Sequence, residues 1–147
     1  MFDSKSPGQQ LVGTWRFVST HLQRADGGTV ELYGPNPNGI LIFTSDGYFA
    51  LTNTRPGRPQ FASGNTMEGT AEENRTTVKD TVAYFGTYIV DEANSIYSIH
   101  IEGSSFPNYE KTTQRRPFTI DGDILSFLNP SPTIANSVVH ATLKRAT

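Results

Sequence analysis

The chain has 147 residues, with 12 Lys and Arg against 14 Asp and Glu, three His, one Trp and no Cys. Charged residues make up only 18% and aromatics 11%, which fits one domain able to bury a core around a ligand-sized cavity. A net charge of -2 gives no electrostatic reason to bind nucleic acid or an anionic membrane, and the missing cysteines exclude a disulfide scaffold, thiolate metal sites and a cysteine nucleophile. No apolar run approaches membrane-spanning length, and Met1 to Gly8 lack the apolar stretch of a signal peptide, so a cytoplasmic location is expected.

In chain order, Val12 to Thr20 alternates around Trp15, Phe17 and Ser19, and Asp26-Gly27-Gly28 turns the chain into Thr29 to Tyr33. Gly34 to Gly39 holds two prolines that lack the ladder donor, so it reads as a loop. Ile40 to Thr44 and Tyr48 to Thr52 flank the tight turn Ser45-Asp46-Gly47, and Arg55-Pro56-Gly57-Arg58-Pro59 opens a long irregular segment. Thr70 with Glu73 forms a capping-box pattern, and Ala71, Val78 and Val82 fall near one face, predicting one short helix over the end of a sheet. Two hairpins follow, Tyr84 to Val90 with Ser95 to Glu102, and Gln114 to Ile120 with Ile124 to Leu128, before a last strand over Ser137 to Arg145. About eight strands in a meander predict an all-β, eight-stranded up-and-down barrel. Residues 1–10 read as an N-terminal tail and residues 11–147 as the barrel domain.

Strand alternation proposes an interior. If Asp91 pairs with Ser95 across a turn with Asn94 left-handed, then Tyr84, Gly86, Tyr88, Ser98, His100 and Glu102 share one side of their hairpin. The other side carries Phe85, Thr87, Ile89, Tyr97, Ile99 and Ile101, so both faces are substantial and a slip of one residue would exchange them. With Asp121-Gly122 as a two-residue turn, Gln114, Arg116, Phe118, Ile120, Leu125 and Phe127 share a face that must be buried. An arginine on an apolar face needs a partner, and Glu102 is the expected one. The inferred pocket is lined by Trp15, Phe17, Tyr84, Tyr88, Phe118 and Phe127, with His100, Glu102 and Arg116 as its polar cluster.

Leu11-Val12-Gly13-Thr14-Trp15 carries a Gly-x-Trp on the first strand. It is followed by Tyr33-Gly34-Pro35-x-Pro37-x-Gly39, Asp46-Gly47-Tyr48, Ala83-Tyr84-Phe85-Gly86-Thr87-Tyr88, His100-x-Glu102-x-Ser104, Pro107-Asn108 and Gln114-x-Arg116 ahead of Gly122-Asp123. This ordered set, spanning Leu11 to Arg145, resembles the lipocalin-like domain family of small bacterial and fungal proteins. The resemblance implies a lipocalin-like β-barrel with an internal pocket. It leaves the chemistry open, because related barrels include cofactor-free cyclases and isomerases as well as carriers.

The first functional expectation is a cofactor-independent isomerase or cyclase acting on a small, largely apolar, polyketide- or terpenoid-like intermediate. His100 would exchange protons, Tyr84 and Tyr88 would donate to a carbonyl or enolate, and Arg116 with Glu102 would complete the catalytic set. Trp15, Phe17, Ser98, Phe118, Phe127 and Arg55 would contact the ligand. The alternative is a non-catalytic carrier or sensor of the same kind of ligand. Each residue also has a structural reading. Trp15 would pack the barrel base under Lys144 or Arg145, Arg116 and Glu102 would form a buried ion pair, and Arg55 and Arg58 would be solvated loop residues. His21 is placed near a strand end and His140 facing outward, so no metal is expected. No cofactor is expected either, and the protein is expected to be a monomer or homodimer.

Overall fold

The computed structural model describes residues 5–130, 132 and 137–146. The strands are β1 (Gly13–Arg24), β2 (Thr29–Glu31), β3 (Asn38–Phe43), β4 (Tyr48–Thr54), β5 (Thr81–Asp91), β6 (Ile96–Ser104), β7 (Thr113–Asp121), β8 (Ile124–Asn129) and β9 (Ser137–Arg145). Each pairs antiparallel with its neighbour from β3 to β9, and β1 pairs with both β3 and β9. The result is the expected closed eight-stranded barrel, with the short β2 laid against the far half of β1. The three tight turns of the β3–β4, β5–β6 and β7–β8 hairpins gather at one end, and the long connections gather at the other.

The tight-turn end is closed by the N-terminus. Pro7–Leu11 forms a helical turn, α1, capped by the Ser6 side chain on the Gln9 amide, where a tail was expected. Residues 1–4 of that expected tail lie outside the described residues. Leu11 is fully buried, and its carbonyl accepts from the Trp15 indole at 2.9 Å. The Arg145 guanidinium lies 4.1 Å from the Trp15 ring centre while donating to the carbonyls of Gln10 and Val12. Trp15 and Arg145 thus plug the base, as the packing reading of Trp15 expected.

The helix α2 (Ala71–Lys79) starts at the predicted capping box, with Thr70 and Glu73 bonding each other's backbone amides. It ends at Lys79. Val82, expected on its apolar face, belongs to β5, and Val78 is exposed. Its end caps, rather than a buried face, hold this helix.

Two bulges and one turn decide which side chains enter the barrel. In β1 the partner register shifts between Phe17 and Ser19, leaving Val18 as the extra residue. Trp15 and Phe17 point in before the bulge, and Thr20 and Leu22 point in after it, which corrects the regular alternation through Ser19. His21 lies within β1 opposite His140, the two rings stacked at 5.0 Å, rather than near a strand end.

The β5–β6 turn is one residue longer than expected. Asp91 pairs with Ile96, because the left-handed residue is Ser95 (φ 52) and not Asn94. Tyr88 therefore faces Ile99, and Gly86 faces Ile101. The inner face of β6 is Tyr97, Ile99 and Ile101, while His100 and Glu102 are exposed on the outside and Ser98 sits half-buried among them. The β7–β8 turn moves by one residue to Gly122-Asp123, so Phe118 faces Phe127 and Ile120 faces Leu125. Both strands of that pair keep their expected faces, because the pairing shifts by two residues in all.

Gly86 sits at the second bulge, where Glu102 is the extra residue. A Cβ at Gly86 would collide with the His100 carbonyl oxygen, a backbone atom that cannot turn away. Gly86→Ala is expected to destabilise the fold by about 1–3 kcal/mol, the usual range for overpacking a tight site. Urea denaturation followed by circular dichroism checks this.

Candidate ligand-binding site

A cavity of about 450 Å³ occupies the half of the barrel served by the long connections. Its apolar wall comes from inward positions of the strands: Phe17 on β1, Leu51 on β4, Val82 and Tyr84 on β5, Phe127 on β8 and Val139 on β9. The β2–β3 connection adds Leu32 and Tyr33, and Tyr109 comes from a 3₁₀ turn at Pro107–Tyr109. Such a volume is in the range that holds one small molecule, about 300–1,000 Å³.

Arg116 on β7 is the main polar group of the interior, only 2% exposed. It donates to the Gln114 side chain at 2.6 Å, to the Asn129 side chain at 3.3 Å and to the Arg115 carbonyl at 3.3 Å. All three acceptors are neutral. The expected partner, Glu102, is outside the barrel because of the β5–β6 register, so the Arg116–Glu102 pair is not formed. Asn129 faces Arg116 as the next inward residue after Leu125 and Phe127.

Two further buried polar atoms belong to residues lining this cavity. Asn53 Oδ1 and Thr20 Oγ1 have no hydrogen-bond partner among the described residues, and Asn53 is 1% exposed. A buried acceptor left unbonded costs about 1–3 kcal/mol. Asn53 continues the inward alternation Phe49, Leu51, Asn53 of β4. It lies opposite Gly39 on β3, where a Cβ would collide with both the Asn53 amide and the Phe17 ring. Glycine at this position makes room for an amide inside an apolar wall.

The mouth is charged and aromatic. Arg55 pairs with Asp80 at 3.2 Å, and Arg58 braces the same turn by donating to the Thr81 hydroxyl at 2.6 Å and the Arg55 carbonyl at 3.1 Å. Arg55 therefore sits at the mouth and lines the cavity, while Arg58 holds the loop. Tyr33 adopts a left-handed backbone (φ 62), which costs a non-glycine residue about 1–2 kcal/mol and here delivers its side chain to the cavity rim. Burial pushes its phenol up to about 12, helped by Tyr84, Tyr109 and Asp80, so this hydroxyl stays neutral at ordinary pH. Tyr84 and Tyr109 meet edge to face at 5.7 Å.

Of the expected site residues, Phe17, Tyr84, Arg116, Phe127 and Arg55 come together around the cavity. The others do not. His100, Glu102 and Ser98 lie on the outer face of β6, and the exposed His100 ring contacts Thr113 at 3.2 Å. Tyr88 points in but toward the closed end, packed on Phe43 with its hydroxyl donating to the Thr44 carbonyl at 2.7 Å. Trp15 belongs to the base plug. Phe118 is buried in the core against Tyr97, and neither lines the cavity. Thr20, Tyr33, Asn53, Asp80, Tyr109 and Asn129 were absent from the expected set. Asn53 and Asn129 follow from period-two alternation carried one step further, whereas Thr20 needs the bulge at Val18.

The sequence profile of the lipocalin-like domain matches residues 12–141. The chain belongs to the lipocalin-like domain family. The 4'-hydroxy-3'-methoxypropiophenone carrier protein of Aspergillus oryzae is 34% identical to this chain over 90 residues, covering 57% of this chain and 81% of that protein. In this lipocalin-like barrel, the Asn53 acceptor has no partner among the described residues. Asn53→Leu removes it at similar volume and is expected to raise stability by about 1–3 kcal/mol while weakening ligand binding. Thermal denaturation and a binding titration on the same preparation check both.

Proposed function

We propose that this protein is a non-catalytic carrier of a small, largely apolar, oxygenated aromatic molecule. The observation that carries the reading is the composition of the cavity wall. Aromatic and aliphatic side chains surround a few fixed polar groups, and two of these, Asn53 and Thr20, have no partner among the described residues. A ligand hydroxyl would donate to the Asn53 amide oxygen, a ligand oxygen would accept from the Thr20 hydroxyl, and the apolar wall would take the rest of the molecule out of water. The aryl ketone in the name of the A. oryzae relative has this character, with a ring, an ether, a hydroxyl and a carbonyl.

The isomerase or cyclase reading rests its proton exchange chiefly on His100, with Glu102 as the partner of Arg116 in the catalytic set. With both on the outer face of β6, the cavity keeps only Tyr84 and Arg116 of that catalytic set, two groups suited to polarising a ligand oxygen. Binding a ligand and releasing it unchanged asks nothing more of these groups, and this favours carriage.

The test is a calorimetric titration with 4'-hydroxy-3'-methoxypropiophenone as the probe. Saturable one-to-one binding is expected with a Kd on the order of micromolar, corresponding to about -8 kcal/mol. Leu51→Trp, which fills the cavity from β4, should abolish it. Chromatography after incubation should recover the probe unchanged, whereas a new product would return the reading to catalysis. Absence of saturable binding by any such aromatic ketone would remove the carrier reading.

A further inference from the structure

We infer that the cavity takes its ligand as an anion, with an ionised oxygen of a phenol, enol or carboxylic acid seated on the Arg116 guanidinium. The inference rests on the carrier reading and sharpens it to a class of ligand.

Arginine is a permanent cation, and Arg116 is almost completely buried. A buried charge is stable only when paired with an opposite charge and hydrogen-bonded. Among the described residues, the Arg55–Asp80 pair is the one side-chain ion pair, so no carboxylate reaches Arg116. Its acceptors from β7 and β8 are an amide, a second amide and a peptide carbonyl. From β6, Tyr97 faces it, but burial raises that phenol far above its ordinary range and keeps it neutral. Tyr33 is held neutral in the same way.

The wider cavity does not make up the difference. Among the described residues its lining includes Arg55, Lys79 and Arg116 against Glu31 and Asp80, and Asp80 is already engaged by Arg55. The three bonds that Arg116 makes use three of the five N–H donors of a guanidinium, leaving two uncommitted among the described residues. An ionised oxygen would supply both the missing charge and the missing acceptor. On binding, the acidic proton of a phenol or enol is released to solvent. Para-acyl phenols suit this site, because the acyl group spreads the negative charge of the phenolate and makes the anion accessible near neutral pH.

Three probes separate the possibilities: a para-hydroxyphenyl ketone, its methyl ether, and an arylalkanoic acid of similar size. The expected result is that the phenol binds as phenolate, shown by its red-shifted absorption about one pH unit or more below the free pKa, equivalent to at least about tenfold tighter binding of the anion. The methyl ether, which cannot ionise, should bind at least about tenfold more weakly than the better of the two acids. Arg116→Gln should abolish both the spectral shift and the preference, and Arg116→Lys should restore part of each. If Arg116→Gln does not fold, the absorption of the phenol bound to the unaltered protein decides alone. Equal binding of phenol and methyl ether, with the phenol spectrum neutral, would overturn the anionic ligand and leave the carrier reading standing. Failure of all three probes to bind would remove both.

Discussion

The pairing of β1 with β9 closes the sheet, and the interior depends on how that ladder is made. An open antiparallel sheet would leave two unpaired edges, and closure removes them. The ladder is broken once, at Val18, and that extra residue turns Thr20 and Leu22 inward where a regular strand would have turned them out. At its lower end the same pair of strands is clamped by Arg145 over Trp15, with the guanidinium also bonded to the carbonyls of Gln10 and Val12. One end of the barrel is thereby solid and the other is free to be hollow.

The hollow half is costly to maintain. It contains a buried guanidinium with neutral partners, an amide oxygen and a hydroxyl without partners among the described residues, and a tyrosine in a left-handed backbone at the rim. Each of these lowers stability relative to an apolar filling of the same shape. The closed half offsets them with an aromatic core in which Phe43, Tyr97, Phe118 and Phe127 meet at centroid distances of 5.1 to 6.1 Å. Stability concentrated at one end and unmet polar capacity at the other is the distribution expected of a binding protein, because the groups that destabilise the empty site are those a ligand satisfies. Glycine at position 39 belongs to the same arrangement, since it leaves the space that the Asn53 amide occupies.

Composition, turn residues and period-two patterning together sufficed for the meander, the capping box of α2, and the burial of Arg116, Phe118 and Phe127. These are local properties, carried by residues near one another in the chain. A register error in the β7–β8 hairpin did no harm to the interior, because a shift of two residues preserves the face of both strands. A shift of one in the β5–β6 hairpin exchanged the faces of β6, removing His100, Glu102 and Ser98 from the interior and bringing in Tyr97, Ile99 and Ile101. Nothing local separates Asn94 from Ser95 as the left-handed residue of that turn, since both faces of the hairpin carry enough apolar area to be buried. The choice falls to the closed barrel, where β6 must also pair with β7 and present Tyr97 beside Arg116.

The sequence by itself thus determined the architecture and the wealth of aromatics around one buried arginine, because strand period and turn chemistry are short-range. Only the tertiary structure decided which polar groups share that interior. That outcome depends on single-residue offsets at Val18, Ser95 and Glu102, and the energy that selects each offset comes from packing and pairing across the whole closed sheet.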